Sequence, residues 1–282
     1  MTELTGKVAV VLGASAEGGT GWGIAEGLAA KGAKVVVGAR SFAPLKALAD
    51  KIGGLAVKCD GGNFDEIAAL RDSAVAAYGK IDIAVNSAAT PTLGLIAEAT
   101  PELMQQAVQV NLFGMAYFVR LMTEKMNNGG SVILISSMSA THPVVPHFAY
   151  AAAKAGVESM IKYAAIEYGG RGIRVNGIRI GTVMSEMAGA FYRMPGVSER
   201  FIQEIPLGRM GRPEDMADAC IWLSGPAYIT GSMLDISGGN QINRFPFLNE
   251  LPGGDANYEG SGALADREEG KGYVPSAKRK VT

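Results

Sequence analysis

Residues 8–31 read VAVVLGASAEGGTGWGIAEGLAAK. The first five are apolar throughout, the pattern of a strand covered on both faces. From Trp22 onward, Ile24, Leu28 and the alanines between them take helical spacing. Between strand and helix lies GASAEGGTGWG, Gly13–Gly23, with five glycines in eleven positions. That is the setting in which backbone N–H groups and a helix N-terminus hold a pyrophosphate. The loop fits the dinucleotide fingerprint G-x-G-x-x-G in no register. It nearly fits a P-loop from Gly13 to Thr20, but Gly19 stands where the lysine belongs, so the main cation on a nucleoside triphosphate is missing. Gly13, Ser15, Gly19, Thr20 and Gly21 are the expected cradle, with Trp22 starting the helix.

Strand and helix patterns alternate from there. Strands are expected at Val8–Leu12, Lys34–Gly38, Leu55–Lys58, Ile81–Val85, Val132–Ser136, Val175–Ile180 and Met233–Ile236. Helices are expected at Trp22–Lys31, Phe42–Ile52, Phe64–Tyr78, Glu102–Asn127, Tyr150–Tyr168 and Pro213–Leu223, the last opening with proline at its first position. Apolar strands joined through helices by short links predict an α/β fold: one doubly wound parallel sheet of about seven strands. No linker divides residues 1–240. Residues 241–282 lose all periodicity and form a C-terminal extension, for which FPFL at 245–248 is a candidate anchor.

Composition narrows the function classes. Apolar residues are 48% and charged residues 19% of 282, enough for a large core. A net charge of −1 offers no basic field for nucleic acid or an anionic membrane. No apolar run reaches the roughly 18–20 residues that span a bilayer, and the first residues make a poor signal peptide. Cys59 and Cys220 are far apart and read as reduced core residues, which fits a cytoplasmic protein. No His/Cys/Asp cluster suggests a metal.

The second strand bears on the ligand. An acidic residue usually ends it and holds a ribose 2′-hydroxyl. Here VVVGARS places Gly38, Ala39 and then Arg40 there. A guanidinium with no neighbouring acid favours a 2′-phosphate, so NADP(H) is expected over NAD(H). Asp60, ending the third strand in VKCDG ahead of Gly61, is placed for the adenine amine.

Chemistry is suggested further along. Tyr150 and Lys154 in YAAAK stand i, i+4 on one helix face. An ammonium beside a phenol favours phenolate and is expected to lower its pKa from about 10 toward neutral. Ser136 and Ser137 end the preceding strand, where a doubly wound sheet keeps its site. Asn111, in VNLFG, puts a polar side chain inside a long helix, and a water on the Lys154 side is its expected partner.

With these motifs in order, residues 5–240 resemble the short-chain dehydrogenase/reductase family, a Rossmann-fold family. Asn86-Ser87-Ala88-Ala89 stands at the family's Asn-Asn-Ala-Gly, and Asn111 at its catalytic asparagine. IRIGTVMSEM, 178–187, is similar to the stretch that closes on the nicotinamide, bringing Gly181, Val183 and Ser185 to the cofactor. PLGRMGRPEDMADACIWLSGPAYITGSMLDISGG, 206–239, is similar to the C-terminal signature. The resemblance implies that Ser137 polarises a carbonyl and that Tyr150 acts as general acid or base. It implies that Lys154 holds the nicotinamide ribose and tunes Tyr150, and that Asn111 anchors a relay water. Homotetramers, or homodimers, are implied as well.

Departures are visible. Ala89, Ala153, Ile180 and Ser185 replace the family's Gly, Ser, Pro and Thr. Arg179 puts a charge in a buried-looking strand with no partner the sequence names. The lengthened loop ending in WGIA resembles the divergent enoyl-acyl-carrier-protein reductases, which space Tyr and Lys further apart and lack the Ser. The Ser–Tyr–Lys spacing here is that of ketone/alcohol enzymes, leaving enoyl-thioester reduction as the alternative. Residues 184–205, with Met184, Met187, Phe191, Tyr192 and Met194, and the stretch containing Met138 and His147 suit a bulky apolar substrate — steroid-like, terpenoid or aromatic — or else form the core of a lid.

Overall fold

The computed structural model describes residues 2–127, 129–184, 189, 191–247 and 250–252. Seven strands form one sheet: β1 (Val8–Leu12), β2 (Lys34–Ala39), β3 (Leu55–Lys58), β4 (Ile83–Asn86), β5 (Gly130–Ser137), β6 (Ile173–Ile180) and β7 (Met233–Ile236). Their order is β3-β2-β1-β4-β5-β6-β7, with every pairing parallel. This is the doubly wound α/β sheet expected from the alternation. The order in which strands are added reverses between β1 and β4, where such sheets open a crevice beyond their C-terminal ends.

Every residue of β1 and β4 is buried, because helices cover both faces. Ala9 and Val11 of β1 face one core, with Ile24 and Leu28 of α1 (Thr20–Ala30), Leu45 and Leu48 of α2 (Phe42–Ile52), and Cys220 of the last helix, Pro213–Ser224. Val10 and Leu12 face the other, with Leu70 of α3 (Phe64–Tyr78) and with Phe118 and Ile161 from the later helices. The period of two in each strand thus feeds two cores at once. Both cysteines are free and buried.

Local rules place the ends. Asn63 caps α3, accepting from the N–H groups of Asp65 and Glu66. Asp82 turns out of β4 and accepts the Val8 N–H at 2.9 Å, so that strand starts at Ile83 rather than Ile81.

The long helix expected over 102–127 is interrupted. It runs as α4 (Pro101–Val108), a π-helical turn at Gln109–Phe113, and α5 (Gly114–Glu124). Two contacts accompany the turn. A Cβ on Gly114 would stand 1.8 Å from the Gly61 carbonyl oxygen, so only glycine allows that approach. Asn111, inside the turn, spends its amide on backbone groups. π-turns of this kind concentrate at functional sites.

The last elements are α6 (Phe148–Gly169), α7 (Val197–Gln203) and α8 (Pro213–Ser224). A third apolar cluster joins Met138, Val197, Phe201, Ile205 and Met210 to Phe245 from the C-terminal extension. Glu250 ties the same segment down, accepting from Arg244 and Arg200. Phe245 of the candidate anchor is therefore buried, and Leu248 lies outside the described residues. Among the described residues no helix is long and apolar enough to cross a membrane.

A Gly114→Ala exchange is expected to destabilise the protein by about 1–3 kcal/mol, the usual cost of forcing extra volume into a packed contact. Urea unfolding measures this, and an unchanged midpoint would show that the approach to Gly61 is not needed.

Candidate active site

The glycine loop sits over the switch point. Gly13 has φ +92°, and a Cβ there would meet the Ala88 nitrogen at 2.4 Å. A Cβ on Gly21 would meet the Gly13 carbonyl oxygen at 2.2 Å, folding the loop tightly against the end of β4. Gly19 is the N-cap of α1, with no side-chain cap and no acidic residue in the first turn. An uncapped helix start with exposed polarity suits an anionic ligand. Gly13, Ser15, Arg40, Asp60, Gly61, Ser87 and Ala88 line one cleft there, joined by Cys59 and Thr90. Arg40 is exposed and pairs with no acidic residue among the described residues, while one Asp60 oxygen already accepts the Gly62 N–H at 2.9 Å. Asn86 is fully buried; its Oδ1 accepts the Ala88 N–H at 3.0 Å, and its Nδ2 has no partner among the described residues. The cradle, the orphaned amide and the guanidinium fit a dinucleotide.

Ser137, Tyr150 and Lys154 meet beyond β5. Ser137 accepts from the Ser139 N–H at 3.2 Å and from the Ser139 hydroxyl at 2.9 Å, and its hydroxyl lies beside the Tyr150 phenol. Lys154, one α6 turn beyond Tyr150, is 1% exposed. Its Nζ donates to the Ile135 carbonyl at 2.9 Å and stands 5.6 Å from the Tyr150 ring centroid. Asn111 is fully buried. Its Nδ2 donates to the carbonyls of Thr90 and Ala107, both at 2.8 Å, and its Oδ1 accepts the Thr90 N–H at 3.1 Å. The Asn111 side chain thus ties the loop after β4 to α4.

The electrostatics differ from the sequence expectation. Burial pushes the Tyr150 phenol up to about 12, although the Ser137 hydrogen bond pulls it back in part. Burial pushes the Lys154 ammonium down to about 7. The lysine does not drag the phenol toward neutrality here, because desolvation outweighs it and Lys154 directs a proton at a carbonyl. Tyr150 therefore holds its proton at neutral pH.

The remaining expected residues are spread around this centre. His147 lies beside Tyr150, rings 6.2 Å apart and edge to face, and burial lowers its pKa. Gly181 follows β6, and Val183 is buried, bridged to Gly211. Met184 and Phe191 are exposed at 37% and 41%, and Phe191 packs on Tyr192 and Phe201. Met138 is fully buried in the third cluster, so it serves as lid core rather than as a substrate wall. Ser185 and Met187 lie outside the described residues. Among the described residues no His/Cys/Asp/Glu group could hold a metal.

Three residues escaped the sequence reading. Thr90 and Ser139 act through backbone or local contacts that carry no motif. Glu158, the partner of Arg179, had a signal: it continues the 150, 154 spacing by one further turn.

Comparison with known proteins agrees with this geometry. A family model described as enoyl-(acyl carrier protein) reductase matches residues 13–241. The 7alpha-hydroxysteroid dehydrogenase of Escherichia coli K12 is 32% identical over 84% of this chain and 94% of its own length. D-threitol dehydrogenase of Mycolicibacterium smegmatis is 33% identical over 85% and 94%. A variant of actinorhodin polyketide ketoreductase, solved with NADPH, superposes with a TM-score of 0.77 at 29% identity, covering 86% of this chain and 99% of that one. The chain belongs to the short-chain dehydrogenase/reductase family of oxidoreductases, which bind a nicotinamide cofactor.

The buried lysine has a consequence for stability. Its folded pKa of about 7 lies below the ordinary 10.5. Between those values the unfolded chain binds the extra proton, so this group's cost to folding fades as pH rises. Lys154→Met removes the cost, worth on the order of a few kcal/mol below about pH 7. The stability of Lys154→Met relative to wild type is expected to shrink from pH 6.5, just below that window, to pH 9.5, about one pH unit inside its upper end, in parallel urea titrations. A difference that stays constant would mean that Lys154 is not depressed.

Proposed function

We propose that the protein interconverts a ketone and a secondary alcohol with NADP(H), on a bulky apolar substrate. The observation that carries this is the meeting of the Ser137 hydroxyl and the Tyr150 phenol beyond β5, with Lys154 one helical turn away. The dinucleotide, when bound, supplies the hydride chemistry. Gly13, Ser15, Gly19, Thr20 and Gly21 hold its pyrophosphate, Asp60 and Gly61 its adenine side, and Asn86, Ser87 and Ala88 the middle of the cleft. Gly181 and Val183 border its nicotinamide end.

Ser137 donates a hydrogen bond to the substrate oxygen. Tyr150, protonated at neutral pH, gives its proton to that oxygen in reduction and accepts one in oxidation. Lys154 orients the ribose and supplies positive charge as its site becomes polar. Asn111 fixes the loop at Thr90 to the π-turn, which supports a place for it in the proton relay.

Arg40 at the rim, with no acid ending β2, supports NADP(H) over NAD(H). Met184, Phe191 and the half-buried His147 support an apolar substrate, as does the hydroxysteroid specificity in one relative's name. Two buried free thiols suit a reducing cytoplasm. Exposed Tyr163 and Ile166 on α6, and Trp222 and Tyr228 near β7, support a homotetramer or homodimer. A second reading, reduction of a C=C bond conjugated to a thioester, draws on the lengthened loop and on the description of the matching family model.

Two measurements check this reading, each with NADPH and a panel of saturated aryl, cyclic and steroidal ketones. Tyr150→Phe is expected to lower kcat by about 10²–10⁴-fold, the usual share of general acid catalysis, while fluorescence titration gives an unchanged NADPH Kd. Residual turnover near wild type removes Tyr150 from the acid role. Arg40→Ala is expected to lower kcat/KM for NADPH by about 10-fold or more, the scale of one charge-assisted contact, and to leave NADH within about threefold. A wild type that prefers NADH refutes the cofactor choice.

A further inference from the structure

Arg179 has an environment of its own. In the sheet, Ser136 of β5 is the register partner of Arg179 of β6, and Arg179 is that of Asp235 of β7. The three form a polar row across three parallel strands, one residue beneath the row that holds Ser137. Arg179 and Asp235 project to the α6 side, as do Val175, four residues before Arg179, and Met233, two before Asp235. There α6 presents Glu158. Arg179 Nε and Nη2 donate to its two oxygens at 2.9 and 2.7 Å, and Arg179 Nη1 donates to Asp235 Oδ1 at 2.7 Å. The Ser136 hydroxyl donates to Glu158 Oε1 at 3.0 Å. The Glu158 and Arg179 side chains are 12% and 15% exposed.

Seen from α6, a regular pattern emerges. Tyr150, Lys154 and Glu158 lie on successive turns of one face. Tyr150 lies beside Ser137, Lys154 donates to the carbonyl of Ile135, and Glu158 accepts from Ser136. Three turns of helix thus meet three consecutive residues at the end of one strand. The Lys154 bond is single and neutral at its acceptor, so it permits sliding or rotation. The Glu158 contact differs, because a planar guanidinium gripping a carboxylate through two parallel bonds fixes direction as well as distance. Apolar side chains of similar volume would serve stability as well as a shielded ion pair does. What they could not supply is the direction.

We propose that Glu158, clamped by Arg179 and Ser136, is a positioning residue that sets the register of α6 on β5 and so the placing of Tyr150 and Lys154 against Ser137. The proposal rests on the catalytic reading above. Reaction rates fall steeply with displacements of an ångström at the reacting groups, so loss of the clamp is read in kcat before binding.

The test compares Glu158→Gln, the double variant Glu158→Met with Arg179→Met, and Tyr150→Phe, using NADPH and the ketone of the panel that wild type reduces best. Active sites are counted by NADPH fluorescence titration, and amide exchange of residues 148–156 is followed in the protein alone. Glu158→Gln puts an amide NH₂ against the guanidinium. It is expected to lower kcat per titrated site by about 10–100-fold, with NADPH Kd and ketone KM within about threefold, and to speed exchange in 148–156. The double variant removes both charges, so its Tm is expected to recover while kcat per site stays low. Wild-type kcat per site in Glu158→Gln, or in a double variant whose Tm has recovered, overturns the proposal, since a purely structural pair would behave that way. If Tyr150→Phe turns over like wild type, or wild type reduces no ketone, the catalytic reading fails first and this proposal falls with it.

Discussion

The Lys154 Nζ reaches the Ile135 carbonyl at 2.9 Å, spanning the gap between α6 and the end of β5. That bond constrains the rest of the site. It keeps an ammonium inside the protein at 1% exposure, where burial holds it near neutrality in pKa rather than fully charged. It fixes the helical turn from which Tyr150 projects, and the same strand end delivers Ser137 to Tyr150. A parallel sheet makes this possible, because its strands all end at the same edge and the crossover helices return beside that edge. The charge chemistry of the pair is consequently set by burial first and by mutual attraction second.

The other half of the cleft is built from backbone. Gly13 and Gly21 let the loop fold onto the end of β4 at distances no side chain would permit, and α1 starts there without a cap. On the opposite wall, Asn111 in its π-turn grips both backbone groups of Thr90, and Gly114 lets that turn close on Gly61. Loop, strand end and interrupted helix are therefore mutually fixed.

Much of this was legible in the sequence because period and spacing report it directly. The all-apolar runs at Val8–Leu12 and Val132–Ile135 read as strands covered on both faces, and YAAAK after a strand ending in Ser-Ser placed three side chains together. Long-range partners were not legible. Arg179 looked unpaired because Glu158 lies 21 residues away and Asp235 lies 56 away, joined only by strand register. The π-turn was read as plain helix because its cause, a 1.8 Å approach to Gly61, depends on a loop far upstream. The Tyr150 shift was read with the wrong sign, since burial is a property of the folded core and spacing shows only the neighbouring charge. Met138 looked like a substrate contact and is lid core, because Phe201 and Phe245 cover it.

The convergence of Ser137, Tyr150 and Lys154, rather than the length of the glycine loop, is held to decide the chemistry. Product analysis on one purified preparation with NADPH tests that directly, offering saturated ketones and 2-enoyl thioesters side by side. The account predicts that the ketone is converted to a secondary alcohol while the thioester is left intact. Turnover confined to the thioester, with the saturated acyl thioester as product, would contradict it.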